Sequence, residues 1–121
     1  MDYHTITKAG DIDIEKFEMA SMEKAGLIPE IIPRYRSTYF NHVFPGGYSS
    51  GYYSYIWAAV LDADAFEAFL EKGNIFDQEV AASFRKNVLE RGATEEPMKL
   101  YVNFRGKTPG IEPLLKNRGL N

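Results

Sequence analysis

The 121 residues contain no cysteine, which excludes disulfides, thiol nucleophiles and thiolate metal sites. That fits a reducing compartment, and a cytoplasmic protein is the expectation. Histidine is nearly as scarce, with only His4 and His42. No apolar run approaches the roughly 18 residues of a membrane span, and the N-terminal MDYHTITKAGDID lacks the basic-then-apolar pattern of a secretory leader. Nor is there an excess of positive charge. With 14 basic against 17 acidic side chains the net charge is −3, so neither nucleic acid nor an anionic membrane is an expected partner. Repeats, low-complexity linkers and composition breaks are missing too, and residues 1–121 are expected to form one segment of a single domain. What is abundant is aromatic: eight Tyr, eight Phe and one Trp. Tyr48, Tyr52, Tyr53 and Tyr55 crowd into one window flanked by Gly46, Gly47 and Gly51, with His42 just upstream.

The periodicities predict an all-α fold, an irregular bundle of five or six helices. Residues 1–12 show no period and are expected to be irregular. Asp13 reads as an N-cap for a helix with Ile14, Phe17, Ser21 and Ala25 on one face and Gly26 as its stop. Pro29 and Pro33 make Leu27 to Arg36 an extended connector. Ser37 is expected to cap a short turn through Tyr39, Phe40 and His42, closed by Pro45-Gly46-Gly47. From about Gly51 to Glu71, Tyr52, Ile56, Ala59, Ala63, Phe66 and Leu70 recur with helical spacing, leaving Asp62, Asp64, Glu67 and Glu71 on other faces. Gly73 closes that helix. Asp77 caps the next, stopped at Gly92; Thr94 caps another ending near Gly106; Thr108-Pro109 opens a last one with a Schellman ending at Gly119-Leu120.

No familiar constellation for catalysis is complete. A zinc helix needs two histidines one turn apart, and His4 and His42 are far from each other. His42 with Ser49 or Ser50 lacks the Gly-x-Ser-x-Gly elbow of a serine hydrolase. The glycines lack the Gly-Lys-Ser/Thr ending of a phosphate loop. Glu95 and Glu96 are more simply partners of a helix dipole than an acid pair. The segment from Phe40 to Trp57, FNHVFPGGYSSGYYSYIW, is the informative one. It joins an imidazole, a glycine-hinged loop and several phenols, which donate hydrogen bonds to a carbonyl or an oxyanion without carrying charge. Spacing alone leaves open that the tyrosines fill a core and the glycines make a turn. Tyr53 points away from the stripe of Tyr52 and Ile56 and fits that plainer reading.

The order His42, Gly46-Gly47-Tyr48, then Tyr52-Tyr53-Ser54-Tyr55-Ile56-Trp57 closely resembles the thimet oligopeptidase family of zinc metallopeptidases. PRYRSTYF, VLDADAF, the FR…RG run from Phe84 to Gly92 and the terminal FRGKTPGIEPLLKNRGL resemble its bacterial peptidyl-dipeptidase branch. The resemblance spans nearly the whole chain. It implies a helical metallopeptidase fold, peptide substrates and a zinc cofactor. By resemblance His42, Gly46, Gly47 and Tyr52 would bind substrate, while Tyr48 and Tyr55 would contact the scissile region and stabilise the tetrahedral intermediate. Arg34 and Arg36 are weaker candidates for reading a substrate carboxylate.

The departure is equally plain. The family's His-Glu-x-x-His helix and downstream glutamate ligand are absent from these residues. The expectation is therefore a C-terminal segment of the catalytic domain that binds no metal by itself and is inactive alone, partnered by the remainder of that domain. Its surplus apolar helix faces would pack there. An alternative is a non-catalytic helical module that binds peptides or a partner protein through the His42–Tyr55 loop. A His-Glu-x-x-His upstream in the same reading frame separates the two.

Overall fold

The computed structural model describes residues 1–8 and 10–120. Among them there are five α-helices and no strand, in agreement with the all-α expectation. The chain forms two compact units, Met1–Tyr53 and Ser54–Asn121.

The first unit opens with a 3-10 turn at Asp2–Thr5, where the sequence suggests only irregular chain. Helix α1, Ile14–Lys24, starts at the expected cap: the Asp13 carboxylate accepts from the Lys16 N–H at 3.1 Å. It ends in a Schellman motif, with Leu27 N–H reaching Met22 O at 3.0 Å while Gly26 takes a φ of +79°. The connector with Pro29 and Pro33 is non-helical, as expected. Beyond it the 3-10 turn covers only Ser37–Tyr39. Ser37 does not cap it. Its N–H and hydroxyl both donate to the Glu18 carboxylate, at 2.7 and 2.8 Å, and Arg36 completes the cage with an ion pair. Glu18 is consequently buried at 7% exposure. Burial works against its charge, but the Ser37 donors and Arg36 prevail and hold its carboxyl below the ordinary range.

The second unit is built on α2, Ser54–Glu71, which begins one turn later than the spacing suggests. Its buried face also differs. Ile56, Phe66 and Leu70 are exposed, whereas Val60, Ala63, Asp64 and Ala68 are buried. Asp64, expected on a polar face, is 2% exposed. The Tyr101 hydroxyl donates to its Oδ2 at 2.6 Å and Arg105 Nε donates at 3.2 Å. The Arg105 guanidinium also forms a two-pronged pair with Glu71, at 2.6 and 2.7 Å. Both acceptors come from α2 and both donors from α4, so this network ties the two helices together.

Helix α3, Gln78–Phe84, has the expected cap, Asp77, accepting from Glu79 and Val80 N–H groups. It then widens into a π-turn at Arg85–Leu89, where Glu90 N–H reaches back to Arg85 O at 2.9 Å. The left-handed stop falls on Ala93, with φ +61°, and not on Gly92. Helix α4, Pro97–Arg105, is capped by Glu96, whose carboxylate accepts from Lys99 N–H at 2.9 Å. Pro97 fills the first helical position, where no N–H is needed. The Thr94 hydroxyl, expected to cap α4, instead donates to Arg91 O. Helix α5, Glu112–Asn117, packs along α2 and ends in the expected Schellman motif at Gly119.

Candidate functional site

The glycine loop folds back on the backbone that precedes it. Gly46 N–H donates to Asn41 O at 2.8 Å and Tyr48 N–H donates to His42 O at 2.9 Å. A side chain at Gly46 would bring a Cβ within 2.7 Å of Asn41 O and 2.9 Å of His42 Cα. Only glycine fits there. Gly47 has open space around it but a φ of +79°, the second reason for a glycine in this turn. A third bond, Gly51 N–H to Tyr48 O, carries the chain on to Tyr52.

This folding gathers rings around His42. Its imidazole centroid lies 5.9 Å from Tyr48, 5.2 Å from Tyr52, 5.4 Å from Tyr35 and 6.1 Å from Phe40. Phe40 stacks on Tyr35 at 4.9 Å and meets Tyr52 edge-on at 4.8 Å. Such ring pairs are directional as well as apolar, and they fix the orientation of a half-buried imidazole. His42, Gly46, Gly47, Tyr48 and Tyr52 are thus brought together in one unit. Tyr48 stays open to solvent at 36% exposure. Tyr55 stands on the first turn of α2, in the other unit, and is 49% exposed. Tyr53, which the sequence suggests as a core-filling tyrosine, is instead 68% exposed.

Tyr35 and Phe40 were not singled out by spacing. Their signal was the aromatic content of PRYRSTYF, which places two rings within reach of His42. Of the two arginines there, Arg36 is committed to Glu18, and the Arg34 guanidinium lies over the Tyr35 ring at 5.4 Å. Among the described residues no three histidine, aspartate or glutamate side chains come together in a way that fits a zinc ion.

Residues 1–120 match the sequence profile of peptidase family M3. The chain belongs to that family. It is similar to the dipeptidyl carboxypeptidase of Escherichia coli, 43% identical over 110 residues, which is 90% of this chain and 16% of that protein. The corresponding protein of Salmonella typhimurium is 37% identical along all of this chain, covering 18% of its own length. Oligopeptidase A of Escherichia coli is 52% identical over 81 residues, 67% of this chain and 12% of that protein. The chain therefore spans less than a fifth of the length of these relatives. Family membership agrees with the resemblance carried by the His42 to Trp57 segment.

Proposed function

We propose that this M3 family chain is the C-terminal, substrate-binding wall of a zinc metallopeptidase that releases dipeptides from peptide C-termini. The observation that carries the reading is the Gly46–Tyr48 loop folded onto His42, which presents two phenols and an imidazole beside exposed backbone. In this reading His42 and Tyr52 line the peptide path, and Gly46 and Gly47 let a substrate backbone approach closely. Tyr48 and Tyr55 donate neutral hydrogen bonds to the carbonyl oxygen as charge develops on it, which lowers the barrier most when the donors are already in place. The metal and the general base belong to residues outside this sequence, and the exposed apolar groups of α2 pack against the rest of the catalytic domain. A match over 90% of this chain to a dipeptidyl carboxypeptidase, against 67% for oligopeptidase A, supports the dipeptide-releasing branch. A cytoplasmic location goes with this reading.

The test uses the full-length protein on quenched-fluorescence peptides with free or amidated C-termini. Release of dipeptides from free C-termini only, lost with a chelator and regained with zinc, is the expected result. Cleavage at internal bonds regardless of the C-terminus would overturn the dipeptide assignment. The chain of residues 1–121 alone is expected to hold no stoichiometric zinc and to cleave nothing; one tightly held zinc per chain would overturn that.

A further inference from the structure

A cavity of about 260 Å³ lies in the first unit, beside the ring cluster. Tyr35, Phe40 and Tyr52 wall it on the side of His42. The volume is far more than the roughly 30 Å³ share of one water and falls short of the ~300–1,000 Å³ of pockets for whole small ligands. It is the size for one end of a peptide.

The charges around it do not balance. Two carboxylates line the cavity, and both are already held. Glu18 is caged by Arg36 and Ser37, and Asp2 accepts from Ser21 Oγ at 2.8 Å with Lys24 at 3.9 Å. Two cations line it with no carboxylate partner among the described residues, the Met1 ammonium and the Arg34 guanidinium. Of the two, Arg34 keeps its charge in any longer chain, because that charge sits on a side chain. Its guanidinium lies over the Tyr35 ring at 5.4 Å, a contact that orients the group without using up its N–H donors. Arg34 is also exposed, so an incoming peptide can reach it.

We propose that Arg34 receives the free C-terminal carboxylate of a peptide substrate in this cavity. The proposal rests on the peptidase reading above and deepens it. A guanidinium fork meets a carboxylate with two parallel hydrogen bonds, and a C-terminal amide cannot reproduce them. The span fits as well. The His42 ring and the Arg34 guanidinium each sit 5.4 Å from the centroid of the same Tyr35 ring, so they are at most twice that apart. Two extended residues reach about 7 Å, and a hydrogen bond at each end adds about 3 Å. A peptide held at His42 thus meets Arg34 two residues later, which is the length released in that reading. Arg36, spent on Glu18, takes no part.

The experiment uses the full-length enzyme on a quenched-fluorescence peptide, with a dipeptide and its C-terminal amide as competing inhibitors. Inhibition constants are compared, because they do not depend on the fraction of enzyme that is folded. The parent is expected to hold the free dipeptide about ten- to a hundredfold tighter than the amide, the usual worth of a hydrogen bond to a charged group. Arg34→Met should erase that gap by weakening the free dipeptide alone. Arg34→Lys, which keeps the charge without the fork, should leave part of it. Arg36→Met should lower the melting temperature and keep the gap. Dipeptide amides ending in Asp or Asn separate the C-terminal carboxylate from an acidic side chain: an Arg34→Met variant that loses only an Asp preference overturns the assignment. A parent without the gap, or an Arg34→Met variant that retains it, also overturns the site and leaves peptide cleavage standing. An enzyme that does not cleave the peptide overturns the peptidase reading and the site with it.

Discussion

Tyr48 donates its backbone N–H to the carbonyl of His42 at 2.9 Å while their rings lie 5.9 Å apart. One bond thus sets both the path of the glycine loop and the distance between an imidazole and a phenol. The loop can make it only because Gly46 has no side chain to strike Asn41 and His42.

Gly46→Ala should therefore disturb the loop more than Gly47→Ala. At Gly46 the added methyl meets backbone, and such overpacking costs about 1–3 kcal/mol. At Gly47 it meets nothing within 4 Å and pays only for a left-handed φ, about 1–2 kcal/mol. Thermal melts order the two variants. In the full-length enzyme, KM should rise for Gly46→Ala beyond the rise for Gly47→Ala; equal effects would contradict the close approach.

Tyr55→Phe in the full-length enzyme should lower kcat about 10²- to 10³-fold, the usual cost of one oxyanion donor, with KM much less changed. A hydroxyl that acts mainly in the transition state has that signature. Tyr48→Phe, on the loop, should move kcat and KM together. If Tyr55→Phe leaves kcat within about threefold, the role assigned to Tyr55 is wrong.

The buried pair of Asp64 and Arg105 should be costly to break from either side. Arg105→Leu leaves a carboxylate at 2% exposure without its cation, a loss of about 3–5 kcal/mol. Tyr101→Phe removes one hydrogen bond to a charged group, about 1.5–3 kcal/mol. The Asp64 charge is also why the Tyr101 phenol is pushed well up, with burial the larger cause. Urea denaturation followed by circular dichroism gives both losses; Arg105→Leu milder than Tyr101→Phe would contradict the network.

Acid should weaken the first unit through Glu18. Its folded carboxyl titrates below the ordinary glutamate value of 4.5, so its contribution is present in full above that value. As pH falls through the lowered folded value the unit loses that stabilisation, because the unfolded chain then binds the proton more readily. Glu18→Gln should lower stability at neutral pH and flatten the acid side of the profile. Melts of both proteins between about pH 3 and 7 compare the slopes; identical acid limbs would sink the assignment.

Local chemistry settled most of the helical punctuation. Asp13 and Asp77 cap because a short carboxylate reaches the free N–H groups of the first turn. Gly26, Gly73, Gly106 and Gly119 stop helices because each takes a positive φ that other residues resist. The clustering of His42, Tyr48 and Tyr52 was legible for the same reason. They lie within one short stretch, and a glycine turn between them leaves few ways to close. The buried face of α2 was not legible. A carboxylate reads as solvent-facing because burying it alone is prohibitive, and what makes Asp64 tolerable arrives 37 and 41 residues later, from Tyr101 and Arg105. Glu18 follows the same logic, since its donors at Ser37 lie 19 residues away. Sequence thus determined where backbone ends are satisfied and where rings collect. Only the tertiary structure decided which charges go inside, because their partners are distant in the chain.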